Sequence, residues 1–443
     1  MVSGGIALLF LLFAVALIIL MTARYNMNAF VVLVSVAFLY GLAIGLPLTD
    51  IVATIRSGFG GTLGYIGIVI IAGTIIGIIL EKTGAALAMT QAILKVVGKE
   101  RSPLAMSIAG YVVSIPVFCD SGYVILTPLN KALSEETGKS MAVMSVALAT
   151  GLYATHTLVP PTPGPIAAAG TLGADLGAVI GMGLIVSIPA MIAGLLWATM
   201  FAKRFDIKVE LEETYQDLIK KYGKLPGALH SFLPLLIPIL LILLKSIAAY
   251  PTKPFGEGGF AEFIAFIGDP VTALMIGIFI ALTLVKKDVR KAAVSDWMSE
   301  GVKNAALILA ITGAGGAFGA ILKASPMAEF INTNMSSLRI GILLPFLISA
   351  ALKTAQGSST VAIITTASIM APLLAPLGLN PALTVLAIGA GSMVISHAND
   401  SYFWVVSQFS NMEVSTSYKA YSTATLIEGV VAFLGVAILS IFI

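Results

Sequence analysis

The sequence predicts an all-α polytopic membrane protein: two inverted-topology repeats of five crossings each, with two re-entrant helical hairpins and two broken helices. Three observations predict it. Of the 443 residues, 58% are hydrophobic and only 11% are charged, with a mean hydropathy of +1.01. A soluble chain of this size needs more charge to cover its surface. Apolar runs of about 20 residues recur, each long enough to cross a hydrocarbon core ~30 Å thick. The succession of runs in residues 1–202 then returns in residues 231–443.

The first repeat offers crossings at 3–22, 27–46, 62–81, 141–160 and 177–202; the second offers 231–249, 270–285, 301–322, 381–396 and 420–443. The opening run "SGGIALLFLLFAVALIIL" has no basic leading region and no clear cleavage site, so a retained crossing is expected rather than a signal peptide. The halves also match locally. "AGTIIGIILEKTGAALAM" (72–89) parallels "TGAGGAFGAILKASPMAEF" (312–330), which sets Gly73 on Gly315 and Gly77 on Gly319. His156 and His397 stand 241 residues apart, nearly the same offset. Five crossings is an odd number, so the second repeat enters the membrane upside down, as in many secondary transporters.

Charge placement supports the same topology. With both termini outside, 19 of the 25 Lys and Arg residues fall on the cytoplasmic side, in keeping with the positive-inside rule. The net charge of +3 carries little weight beside that asymmetry. The charged segment 203–230 becomes a cytoplasmic linker, in part a solvated helix.

Two apolar segments are too long for loops. "SPLAMSIAGYVVSIPVFCDSGYVILTPLNKALSEETGK" (102–139) has basic residues at both ends, and a single crossing there would invert the downstream charge pattern. Its first limb, 103–117, makes roughly 22 Å of helix, short of a span. A re-entrant hairpin with its tip near Cys119–Gly122 is expected, with a counterpart at 338–376 whose tip lies near Lys353–Thr360. "THTLVPPTPGP" and "SHANDSYFW" (396–404) break the fourth crossing of each repeat, because proline lacks an N–H and fixes φ. Non-helical backbone at such depth is tolerated only inside protein or beside a wet cavity. All four breaks converge near mid-membrane, offering half-helix N-termini to an anion and carbonyls to a cation.

The polar residues at these places are the candidate site. Asp120, Asp400 and Glu428 are intramembrane carboxyls, costly unless paired or functional, and each is a candidate proton carrier. His156 and His397 are candidates for substrate or proton handling. Lys353 can meet a substrate carboxylate or pair with Asp120 or Asp400. Ser121, Gly122, Thr155, Thr157, Thr162, Gln356, Gly357, Ser358, Ser359, Thr360 and Asn399, with Ser396, suit a polyhydroxylated ligand, since each desolvated hydroxyl needs a partner. Taken singly, each also serves to satisfy broken backbone.

Several classes are disfavoured. One cysteine, Cys119, allows no internal disulfide and no multi-cysteine metal site. There is no Walker motif and no HExxH spacing. No metal, cofactor or nucleic-acid partner is expected. A channel would favour repeated charged rings along a wide pore, and an intramembrane protease would need a dyad.

"PVFCDSGYVILTPL", "ATHTLVPPTPGPIAAAG" and "SHANDSYFWVVSQF" resemble the gluconate permease family of bacterial proton symporters, within the ion transporter superfamily. The resemblance implies a homodimeric carrier in the bacterial inner membrane, taking gluconate or a related sugar-acid or hydroxy-acid anion with protons. It also implies a binding region at Asp120–Gly122, Thr155–Thr162, Gln356–Thr360 and His397–Asp400. The family includes D-serine and glycerate carriers, and sodium coupling is the alternative to protons. The expected mechanism is an elevator, with 100–202 and 336–443 sliding against a scaffold of 1–99 and 231–335.

Overall fold

The computed structural model describes residues 2–208, 223–249, 253–327, 330 and 341–443, and every regular element among them is a helix. The first half contains α1 (Gly4–Ile19), α2 (Ala29–Ala43), α3 (Leu48–Lys82), α4 (Ala85–Val97), α5 (Ser102–Val113), α6 (Cys119–Thr137), α7 (Met141–Leu158), α8 (Pro163–Leu172) and α9 (Leu176–Met200). The second contains α10 (Ala228–Ala248), α11 (Gly259–Ile267), α12 (Pro270–Leu282), α13 (Met298–Lys323), α14 (Leu343–Gln356), α15 (Ser359–Met370), α16 (Pro381–Gly391), α17 (Ser401–Phe409) and α18 (Thr423–Leu439). The proposed linker helix falls largely on 209–222 and Arg339 on 331–340, both outside the described residues.

Helix starts follow capping chemistry. An Asx side chain followed by proline opens α12 and α16: Asp269 accepts from Val271 N, and Asn380 accepts from Ala382 N and Leu383 N. The cap takes a free backbone N–H, and proline at the first helical position has none to lose. Asp175 caps α9 and Asp400 caps α17 in the same way, without the proline.

Ten crossings were expected. Seven described helices are long and apolar enough to span, or eight if α11 and α12, which meet at 62°, form one bent crossing. The shortfall has local causes. α2 has only 15 residues, and the α16 crossing is interrupted before α17. Other bounds also shift. The crossing at 62–81 begins at Leu48, because Gly58, Gly60 and Gly61 stay helical within a 35-residue helix. α4 and α11 are additional helices that a search for full spans passes over.

The long helices α3 and α13 pack together. A Cβ on Gly58 would lie 2.5 Å from Gly316 O, and one on Gly316 would lie 2.1 Å from Thr62 Oγ1. Further along, Thr74 Oγ1 donates to Gly301 O at 3.0 Å. Residue numbers rise along α3 as they fall along α13, so the two are antiparallel. The same holds for α9 and α18, where Gly435 abuts Val186 and Trp197 Nε1 donates to Ala420 O at 2.9 Å. It holds again for α7 and α16, where Gly389 abuts Thr157 and Tyr153 Oη donates to Ser392 O at 3.1 Å.

Connecting segments collect at two ends of the bundle. One end carries the Lys82–Glu300 pair at 2.9 Å, the Lys99–Glu136 pair and the His230–Thr283 hydrogen bond. The other carries the Val2 N to Ile44 O bond, the Ser246–Asp175 hydrogen bond at 2.6 Å and the Lys245–Asp269 pair at 2.9 Å.

The α3–α13 contact leaves no room for a side chain. Gly316→Val is expected to push these helices apart and cost about 1–3 kcal/mol, read as a lowered unfolding midpoint in detergent. Gly60→Val, where a Cβ meets nothing within 4 Å, is the matched control and should leave the midpoint nearly unchanged.

Candidate functional site

Each half brings a helical hairpin against a broken helix. α5 ends at Val113, and the chain turns through 114–118 before α6 begins at Cys119. The turn therefore lies one turn earlier than the expected tip, and Asp120, Ser121 and Gly122 form the first turn of α6. The second hairpin turns at Gly357 and Ser358, within the expected range. α7 runs to Leu158, so Thr155, His156 and Thr157 are still helical and the first break covers 159–162. The second break, 392–400, is longer and holds His397, Asn399 and Asp400.

The second half is joined by charge. Lys353, in the last turn of α14, is completely buried. Its Nζ donates to Asp400 Oδ2 at 2.5 Å and to Gly357 O, and it lies 5.9 Å from the centre of the Tyr153 ring, within cation–π range. Asp400 is 5% exposed. It also accepts from Ser396 Oγ at 2.5 Å and, as cap of α17, from Tyr402 N at 3.1 Å. Both buried charges are thus paired and further hydrogen-bonded, the condition under which such a pair is tolerated.

The other polar groups of the second break bind the end of α14. His397 Nε2 donates to Thr354 O at 2.8 Å, and Asn399 Nδ2 donates to Thr354 O and Ala355 O at 2.9 and 3.1 Å. The last carbonyls of a helix have no intrahelical donor, and these side chains supply one. Gly357 has φ +91°, and a Cβ there would lie 2.1 Å from Asn399 O. Only glycine suits both the backbone conformation and the close approach.

The first half is joined by hydroxyls. Thr155 Oγ1 donates to Tyr111 O at 2.8 Å, tying α7 to the end of α5. Thr157 donates to Tyr153 O, and Thr162 donates to Val159 O across the break. These three hydroxyls satisfy backbone. Gly122 is a packing position, since a Cβ there would lie 2.7 Å from Leu152.

Several groups remain open. Asp120 is half-buried, with Oδ1 unpartnered, and lies in electrostatic range of Asp400 and Lys353. His156 is 5% exposed, packs against Phe118 at 6.1 Å between ring centres, and has an unpartnered Nδ1. The two histidines share a repeat offset but not an environment: His156 is enclosed within helix, whereas His397 is half-buried in unwound chain. Ser358 is exposed and caps α15 by accepting from Val361 N. Ser121, Gln356 and Thr360 are half-buried and Asn399 is exposed, while Ser359 is buried. Gln356 Nε2 donates to Ser358 O at 3.2 Å. Glu428, on α18, is fully buried, in electrostatic range of Tyr153.

Four tyrosines were missed as a set. Tyr123, Tyr153, Tyr402 and Tyr421 are all buried, and Tyr402 packs against each of the other three at ring-centre distances of 5.5 to 6.1 Å. Tyr402 Oη donates to Ala149 O at 3.1 Å, and Tyr123 Oη hydrogen bonds Ser410 Oγ at 2.6 Å. They link the first hairpin and first broken helix to the second. A buried phenol needs a partner for its hydroxyl, so tyrosines deep in apolar runs were the available signal.

The arrangement is a polar centre inside an apolar bundle, with half-helix N-termini at Cys119, Pro163, Ser359 and Ser401. It can take an anion at those N-termini and can hold protons on buried carboxyls. Residues 6–442 match the family described as GntP family permease. The chain belongs to that family. It is 34% identical to a gluconate permease of Pseudomonas aeruginosa, over 96% of both chains. It is also 34% identical to the D-serine transporter DsdX of Escherichia coli K12, over 98% of both. An uncharacterized permease of Haemophilus influenzae is 36% identical over 94% of this chain and 88% of its own. The fold is similar to the YdaH transporter of Alcanivorax borkumensis, with a TM-score of 0.67, 15% identity and 90% of each chain covered. This permease is therefore a multi-pass membrane protein of a transporter family, and the named relatives are permeases and transporters, not enzymes.

Removing Lys353 alone strands a buried carboxylate. Lys353→Met is expected to cost about 3–5 kcal/mol, seen as a large fall in the thermal midpoint in detergent. Adding Asp400→Asn, which keeps the cap on α17 without the charge, should recover most of that loss.

Proposed function

We propose that this permease is a secondary active importer that takes gluconate, or a related sugar-acid or hydroxy-acid anion, into the cell together with protons. The observation that carries the reading is the convergence of four half-helix N-termini, a buried ion pair and further buried carboxyls at one place in the bundle. The N-terminus at Ser359, capped only by the neutral Ser358 hydroxyl, suits a substrate carboxylate. The rim groups of Ser121, Ser358, Thr360, Gln356 and Asn399 suit the hydroxyls of a sugar-acid chain. D-serine also carries a carboxylate beside a polar substituent, so a smaller hydroxy or amino acid is the neighbouring substrate class. Protons are favoured over sodium by the number of titratable groups at the centre: Asp120, Asp400, Glu428, His156 and His397.

The mechanism we propose is an elevator. The two halves are read as inverted repeats, supported by the antiparallel pairing of α3 with α13, α7 with α16 and α9 with α18. The hairpins and broken helices with α9 and α18 form the moving part, and α1–α4 with α10–α13 form the frame. The end of the bundle that carries Lys82, Lys99 and Lys286 is read as cytoplasmic, which puts both termini outside. The family resemblance adds a homodimer in the bacterial inner membrane, with contacts between frames.

Proteoliposomes holding this permease are expected to accumulate radiolabelled gluconate under an inward proton gradient in sodium-free buffer, and a protonophore should abolish accumulation. Uptake that needs sodium and ignores the proton gradient would contradict the proton reading. Uptake of D-serine or glycerate in place of gluconate would keep the carrier and change its substrate.

A further inference from the structure

We infer that Glu428 is the proton-binding group of the transport cycle and that the Lys353–Asp400 pair is a structural clasp. This rests on the proton-coupled reading above and narrows its five candidate groups to one.

Four of the five candidates differ from Glu428 in their surroundings. Asp400 is occupied by Lys353, Ser396 and Tyr402 N. His397 is spent on Thr354 O. Asp120 is half-exposed at the rim, where a substrate anion would sit beside it. His156 has one free ring nitrogen but stands at the end of α7 against Phe118. Glu428 alone among them is 0% exposed with neither carboxyl oxygen partnered among the described residues. A carboxylate buried without a partner is costly in its charged form, which suits Glu428 to take up a proton and release it when water reaches it.

The position of Glu428 connects that proton to the moving backbone. Glu428 lies one turn after Thr425 on α18 and beside the stripe formed by Ser422, just before the helix, Thr425 and Gly429. Ser422 Oγ donates to Ser396 O, and Thr425 Oγ1 accepts from Ser396 N at 3.0 Å. Next to Glu428, a Cβ on Gly429 would lie 2.8 Å from Ala390 O and 2.9 Å from Val394. The stripe of Ser422, Thr425 and Gly429 therefore lies along the chain from Ala390 to Ser396, with Glu428 at its edge. A change of charge at Glu428 acts on the segment that carries His397, Asn399 and Asp400. The helices packed on α18 are α9 and α16, which contain no ionisable side chain, α7, which carries Tyr153 and His156, and α14, which carries Lys353 and stacks Phe346 on Phe433 at 4.3 Å. The ionisable groups in reach are Tyr153 of α7, which is in electrostatic range of Glu428, and beyond it Lys353 and Asp400. Tyr421, with its hydroxyl unpartnered, lies on the segment before α18. Among the described residues no Lys or Arg pairs with Glu428, so in this proposal its charge state follows access to water as the moving part shifts.

The test uses full-length protein in proteoliposomes with radiolabelled gluconate. For a one-proton, one-anion symporter, each pH unit of inward gradient supports about tenfold accumulation. Glu428→Gln is expected to reduce that ratio to about one while exchanging labelled for unlabelled gluconate at near the wild-type rate. Undiminished accumulation by Glu428→Gln would overturn the inference. If that variant does not fold, infrared difference spectra on gluconate addition decide instead. A protonated-carboxyl band that moves in Glu428→Asp supports the assignment, and a substrate-dependent band unchanged in Glu428→Asp refutes it. Wild-type protein that ignores the proton gradient removes the parent reading rather than the choice among its residues.

Discussion

Backbone that stops being helical inside hydrocarbon must find partners for the groups it frees, and the structure is arranged around that constraint. At the second break a single carboxylate does most of it. Asp400 caps α17, holds Ser396 and neutralises Lys353, which in turn binds the carbonyl at the turn of the second hairpin. Hairpin and broken helix are thereby one unit. Gly357 brings the two chains into contact, and His397 and Asn399 satisfy the end of α14.

The two halves meet the same constraint differently. Threonine hydroxyls bridge the first break, and charges with side-chain amide and imidazole donors bridge the second. Hydroxyl-to-carbonyl bonds need no countercharge and are indifferent to protonation. The second break is the one held by charge, and α18, which bears Glu428, packs along it through Ser422, Thr425 and Gly429. The tyrosine cluster ties the halves together, because Tyr153 and Tyr402 each donate across to backbone of the other half.

Much of this was legible in the sequence. Hydropathy gave the membrane class, and the prolines of "THTLVPPTPGP" marked the first break. Asp120, Lys353, His397 and Asp400 stood out because charge in an apolar run is rare. Less legible was which polar group spends itself on backbone. Thr155 reads as a ligand until Tyr111 O is seen 2.8 Å away. Helix ends near the breaks also slipped by a turn, since Cys119–Gly122 has no proline or cap of its own. The partnering of Lys353 with Asp400 rather than Asp120 depends on how the hairpin docks, a long-range contact that local pattern does not encode.

The measurement that addresses the central claim, a moving part against a fixed frame, is a cross-link between them. Asp175 at the cap of α9 and Ser246 on α10 hydrogen bond at 2.6 Å, one on each proposed part. With Cys119 replaced by alanine, Asp175→Cys with Ser246→Cys should form a disulfide that stops gluconate transport, and reduction should restore it. Transport at the full rate with the disulfide closed would show that these two parts do not move apart.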